Sequence, residues 1–190
     1  MNSVNVPVPG RVSALAGEVA ADLTARQGGT ALGPSGAGAS AGSRGAPADA
    51  GGVRVRDDRT LVAKRLPEGE AHRVEARARE ALSGTPPFEV RVDRVDWFAE
   101  PTAGSGPVVY LAVESPGLWR LHDRLCRAFD PVPGLEGDEY TPHVTVARGG
   151  SLAAAEAVLG PVEPVEWTVT ELQFWDATRK LVAGRVSLPA

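Results

Sequence analysis

Lysine is almost missing from this chain of 190 residues: Lys64 and Lys180 stand against eighteen arginines. The formal net charge is -4 and the isoelectric point about 5.4. That balance excludes a global basic field able to hold long nucleic acid, so any anionic ligand must be held by a local cluster of cations. There is a single cysteine, Cys126. One cysteine excludes an internal disulfide and a cysteine-based metal cage, and a reduced, cytoplasmic setting is the expectation. No stretch reaches the ~18 consecutive apolar residues of a membrane helix, so no span is expected. The opening MNSVNVPVPG has neither a basic start nor an apolar run of leader length.

Glycine and proline are abundant, at 22 and 16 residues. They concentrate in 28–52, GGTALGPSGAGASAGSRGAPADAGG. With almost nothing to bury, this stretch is expected to be a disordered surface insertion within one domain spanning the chain. Elsewhere the pattern is regular. Residues 3–8 alternate as a strand, and Val12, Leu15, Ala16, Val19, Ala20 and Leu23 recur at helical spacing over 12–25. Strand 53–64, helix 68–82, strands 88–98 and 108–113, helix 118–129 and helix 152–159 follow. Segments 167–175 and 181–188 close the chain as a hairpin.

The most informative stretch is Tyr140 to Arg148, YTPHVTVAR. Pro142 pushes its predecessor into an extended conformation, and β-branched residues then alternate with a histidine. On a strand, His143 and Thr145 share one face while Val144 and Val146 share the other. A histidine beside a hydroxyl can move a proton and hold an oxygen, and Arg148 just beyond is placed to neutralise an anion. His72 is expected on the solvent side of its helix, and His122 at the boundary of the apolar stripe of 118–129.

The element order repeats itself. Each half reads strand, Pro-Gly turn, helix, strand ending in basic residues, helix, aromatic-capped strand. Pro9-Gly10 matches Pro116-Gly117, Thr60 matches Thr145, and 88–97 matches 167–175. Gly10 to Thr60 spans 50 residues and Gly117 to Thr145 spans 28, a surplus that the insertion accounts for. The consequence is a pseudo-two-fold α+β molecule. Two antiparallel sheets face a central cleft, helices lie outside, and the Thr60 and Thr145 strands lie near the axis. Lys64, Arg65 and Arg148 would make that cleft locally basic.

Pro142-His143-Val144-Thr145-Val146-Ala147-Arg148 resembles the second motif of the 2H phosphoesterase superfamily. The likeness is to its 2′-5′ RNA ligase (LigT-like) and RNA 2′,3′-cyclic phosphodiesterase branch, and the element order resembles that family over roughly 3–188. The resemblance implies the bilobal, internally duplicated α+β fold reached above. It also implies acid–base chemistry without metal or other cofactor, in which two histidines act on one phosphodiester of an RNA end or a small cyclic nucleotide. His143 would be one catalytic imidazole. Thr145 and Thr60 would hold the phosphate, with Lys64 and Arg148 as cations. The first motif departs from the pattern: Asp58 stands two residues before Thr60, where a histidine is expected, and a slip of one would place Arg59 there. Asp58 is therefore the candidate second proton carrier, although an ordinary carboxylate is a weak base at neutral pH. The expected activity is that of a monomeric phosphodiesterase or 2′-5′ RNA ligase. The alternatives are an impaired protein that binds nucleotides or RNA ends in the same cleft, and an enzyme for another cyclic phosphate.

Overall fold

The computed structural model describes residues 2–29 and 52–189. In chain order these form β1 (Asn2–Val6), α1 (Gly10–Gly29), β2 (Arg54–Val55), β3 (Leu61–Leu66), α2 (Ala71–Leu82), β4 (Phe88–Phe98) and β5 (Val108–Glu114). Then come α3 (Pro116–Ala128), a 3-10 turn (Gly137–Glu139), β6 (His143–Arg148), α4 (Leu152–Glu156), β7 (Gly160–Val169), β8 (Glu171–Asp176) and β9 (Leu181–Ser187). Of the insertion expected over 28–52, Gly28 and Gly29 end α1, and 30–51 lie outside the described residues.

The strands run in the order β7-β4-β5-β6-β3-β1-β8-β9, with β2 added beside β6, and every pairing is antiparallel. The order is a palindrome of roles: β6 answers β3, β5 answers β1, β4 answers β8 and β7 answers β9. The two expected sheets are the two four-stranded arms. They join through one residue pair, Leu61 with Val144, so that hydrogen bonding continues as one nine-stranded sheet.

Two expected strands are divided. The run over 53–64 is interrupted by Arg56-Asp57-Asp58-Arg59, four successive charges of which the first three are exposed, leaving β2 and β3 as separate strands. The run over 167–175 breaks at Thr170: β7 pairs with β4 in one arm, and β8 pairs with β1 and β9 in the other. The closing hairpin is β8 with β9.

Helix starts follow local chemistry. Ser115 Oγ accepts from the backbone N–H of Leu118 at 3.1 Å, and Pro116 fills the first turn of α3, where a missing N–H costs nothing. Ser151 caps α4 in the same way, accepting from Ala154 N at 3.2 Å. The helices present their apolar stripes to one side of the sheet: α1 packs on β6, and α3 on β3 and β4. Between them lie Val4, Val6, Leu61, Ala63, Leu111, Val144 and Val146, all buried, with Val12, Ala16, Leu23, Leu118, Leu121 and Leu125 from the helices. Each fully buried Leu or Val contributes about 1.5–3 kcal/mol relative to exposure. Alternation then sends the intervening residues of β1, β3, β5 and β6 to the opposite face, where the site lies.

Candidate active site at the β3–β6 seam

β6 delivers His143, Thr145 and Arg148 half-buried, between buried Val144, Val146 and Ala147. The imidazole is fixed from two directions. Its Nδ1 donates to the carbonyl of Thr141 at 2.7 Å, which leaves Nε2 as the free lone pair of the neutral ring. Its faces and edges meet Phe98 and Tyr110, with ring centroids 5.3 and 5.1 Å away. Burial pushes its pKa below the ordinary 6.5, and the nearby guanidiniums of Arg65 and Arg148 push the same way; only the Thr141 bond opposes them. The ring is therefore neutral at pH 7, a base in the free protein. Burial likewise raises the Tyr110 phenol to about 12, with Asp96 adding to the shift.

Arg148 donates through Nη1 to Ala103 O at 3.0 Å, while its buried Nε has no partner. Burial lowers its pKa, and so do Arg56, Arg54 and Arg65 around it. The surroundings of Arg148 are thus crowded with positive charge, in a protein that is acidic as a whole. Arg65 reaches this face because its neighbour across the ladder is Ser3, just as Arg148 lies across from Val108. Glu136 steadies Arg65, accepting its backbone N–H at 2.7 Å and standing 3.7 Å from its guanidinium.

Lys64, expected as a phosphate ligand, is not in the cleft. It pairs with Val4 on the helix-covered side and is 1 % exposed. Its three donors go to Glu136 Oε2 at 2.5 Å, Arg65 O at 2.9 Å and Asp130 O at 3.1 Å. No proton is left for a ligand. Glu136 is held below the usual carboxylate range: burial alone would raise it, but Lys64 and the N–H groups of Arg65 and Val132 outweigh burial. His122 is wholly buried rather than at a boundary, its Nδ1 bonded to Ala63 O at 2.8 Å and its ring stacked on Tyr140. His72 is exposed, as expected.

The strand pairing fixes the register between the halves. Leu61 answers Val144 at the seam. The burial sequence of 60–65 is that of 143–148: half-buried, buried, half-buried, buried, buried, half-buried. The ladder irregularity falls at the same place, between partners 64 and 62 in β3 and between partners 147 and 145 in β6. Thr60 therefore stands where β6 has His143, Val62 where it has Thr145, Lys64 where it has Ala147, and Arg65 where it has Arg148. This corrects the match of Thr60 with Thr145 by two residues. Continuing the seam register by one residue each way still sets Thr60 opposite Thr145, with Val62 opposite His143. Asp58 does not occupy the histidine position. It is exposed in the bend before β3, and it lines a cavity with Thr60 to which His143, Thr145 and Arg148 do not contribute. Arg59 does not occupy it either: its Nη1 donates to Val146 O at 2.9 Å.

Comparison with known proteins follows the same lines. The family model described as the 2′-5′ RNA ligase superfamily matches residues 60–181. The chain belongs to the 2′-5′ RNA ligase superfamily. The match begins at Thr60, the residue that answers His143. Among solved structures, the superfamily fold recurs in TT0787 of Thermus thermophilus, 18 % identical over 98 % of this chain and 97 % of that one, with a TM-score of 0.60. It recurs in E. coli LigT complexed with 3′-AMP, 18 % identical over 100 % and 98 %, TM-score 0.56. A structure described as a phosphoesterase is 19 % identical over 100 % and 98 %, TM-score 0.55. No curated protein matches the chain by sequence. Among the described residues no helix is long and apolar enough to cross a membrane.

Arg65 is the candidate residue that matching Thr60 with Thr145 undervalues. Val62-Ala63-Lys64-Arg65 set against Thr145-Val146-Ala147-Arg148 brings arginine onto arginine, a signal present in the residues themselves.

Proposed function

We propose that the seam binds the terminal phosphate of an RNA end or of a small 2′,3′-cyclic nucleotide, and that His143 is its one proton-moving imidazole. The observation that carries this reading is the pair Arg65 and Arg148, set at equivalent positions of the two strands and flanking His143 and Thr145. Two guanidiniums whose charge both reaches His143 suit a phosphate bound beside it, since such groups hold phosphate by charge-assisted hydrogen bonds. The superfamily membership and the 3′-AMP complex of the related E. coli LigT support the same ligand class.

The chemistry follows from what each residue can do. The neutral Nε2 of His143 takes a proton from a water attacking the phosphorus of a cyclic phosphate. The P–O bond to one ribose oxygen breaks, and that oxygen needs a proton. In a two-histidine site a second imidazole supplies it. Here Thr60 supplies only a hydroxyl, too weak an acid for the task, so the leaving oxygen takes its proton from solvent. Loss of one positioned proton carrier costs about 10²–10⁴ in rate. Thr145 and the arginines hold the phosphoryl oxygens, and the scheme calls on no metal.

The second reading is ligand binding without turnover, and it rests on Thr60 and Val62 standing in place of both polar groups of the first motif. One experiment separates the two. The protein is incubated with 2′,3′-cyclic AMP beside His143→Ala, and product and binding are measured together. Turnover above the alanine variant is expected. Binding that Arg148→Gln weakens, with no turnover above His143→Ala, establishes the second reading. Absence of binding rejects both.

A further inference from the structure

The two arms differ most beside the histidine position. In the β6 arm the space is filled by three rings, His143, Tyr110 and Phe98, with Phe98 and Tyr110 centroids 4.4 Å apart. Strand register gives their counterparts in the β3 arm. Thr60 answers His143; Asn5 answers Tyr110, since Asn5 pairs with Val62 as Tyr110 pairs with Thr145. Trp175 answers Phe98, since Trp175 pairs with Ser3 as Phe98 pairs with Val108. Two of the three rings have become small side chains. The space they vacate is a cavity of about 230 Å³, lined among others by Asn5, Thr60, Gln173 and Trp175.

The walls of that cavity reject a phosphate. Asp57 and Asp58 both line it, against one cation, Arg59, whose Nη1 already serves Val146 O. The walls invite hydrogen-bond donors instead. Asn5 is 4 % exposed and its Oδ1 is buried without a partner. Closed to solvent, that oxygen is not itself a ligand contact; the exposed acceptors of the cavity are the carboxylates of Asp57 and Asp58. Gln173, next to Asn5 across the β1–β8 ladder, offers a second amide, and the indole of Trp175 offers a flat apolar wall. The volume is below that of a drug-sized pocket and suits a single flat heterocycle.

We infer that the degenerate first motif has become a base-recognition pocket. It takes an amino-bearing nucleobase, packed on Trp175, with its exocyclic amino group donating to Gln173 or Asp58. The inference rests on the proposed phosphate site at the seam, because Thr60 lies opposite Thr145 there and one nucleotide would reach from phosphate to base. Replacing the histidine thus exchanges catalytic power for selectivity between bases.

The test is a set of dissociation constants, measured by titration calorimetry, for 3′-AMP, 3′-CMP, 3′-UMP and ribose 3-phosphate. The wild-type protein should bind 3′-AMP and 3′-CMP at least about tenfold more tightly than 3′-UMP and ribose 3-phosphate. Trp175→Ala should weaken 3′-AMP by roughly 5- to 150-fold, the range for loss of one stacking partner, and leave ribose 3-phosphate unchanged. Gln173→Leu and Asp58→Ala should each reduce the preference for 3′-AMP over 3′-UMP, and neither side chain is part of the core. Equal binding of all four ligands by the wild type overturns the inference, as does a preference that Trp175→Ala and Gln173→Leu leave intact. In both cases the phosphate site survives, provided that Arg148→Gln weakens ribose 3-phosphate. Failure of every ligand to bind overturns both readings.

Discussion

β6 and β3 follow the same backbone path with the same burial sequence and the same ladder irregularity, and they carry different chemistry. β6 has His143, Thr145, Ala147 and Arg148. β3 has Thr60, Val62, Lys64 and Arg65. Only the arginine is shared. The two strands share geometry where the fold needs it, at Leu61 and Val144 on the seam, while a histidine stands on one side alone. The seam constrains backbone shape because it joins the two arms. It places no demand on the side chains that point away from the core.

The comparison can be broken most directly by making β3 chemically equal to β6. Thr60→His with Val62→Thr should raise turnover of 2′,3′-cyclic AMP by about 10²–10⁴, the value of one positioned acid or base. Asp58→His should leave the rate near that of the wild type. A larger gain at Asp58 than at Thr60 would show that the match drawn from the shared burial sequence and ladder irregularity is wrong.

The next largest effect is on stability, at the position where β3 has a buried Lys64 and β6 has Ala147. Glu136→Gln leaves the ammonium without its counter-charge and should cost about 3–5 kcal/mol in denaturant unfolding. The same carboxylate gives a pH signature. Its pKa is held below the unfolded value, so its stabilisation is present above about 4.5 and disappears as pH falls through the folded value. Glu136→Gln should flatten that acid limb, and an unchanged limb would remove Glu136 from its cause.

A subtler test concerns the surviving histidine. Because its folded pKa lies below 6.5 and the neutral ring is the working form, the acid limb of kcat/KM should have its midpoint below pH 6.5. Imidazole proton resonances in the free protein should titrate in the same range. A midpoint above 6.5 would mean that a carboxylate outweighs burial and the two arginines.

The smallest effect contrasts the two helix starts. α3 is capped by Ser115 Oγ, whereas α1 follows Val8-Pro9. Ser115→Ala should cost about 1 kcal/mol. A Ser115→Ala variant as stable as the wild type in denaturant unfolding would show that the hydroxyl contributes nothing.

Much of this was legible in the residues. The alternation of 143–148, the helical spacing of 12–25 and the repeat of element order gave the architecture and one half of the site. Two strands were drawn too long, over 53–64 and 167–175, because alternation does not reveal a bend between two segments that both alternate. Lys64 was misplaced because the irregularity in the β1–β3 ladder turns two successive residues, Ala63 and Lys64, to the covered side. A strict period of two puts one of them in the cleft.

The sequence by itself determined the duplicated α+β order, the His143–Thr145–Arg148 strand and the local origin of any positive field. Only the tertiary structure decided what stands opposite His143. A slip of one residue turns a strand over and betrays itself in the hydrophobic pattern, but a slip of two restores every side chain to its face. Asp58-Thr60 and Thr60-Val62 are therefore equivalent to any reading of periodicity. The irregularities in the β1–β3 and β5–β6 ladders distinguish them, because they fall at Lys64/Val62 and at Ala147/Thr145, and those pairings are made between strands far apart in the chain.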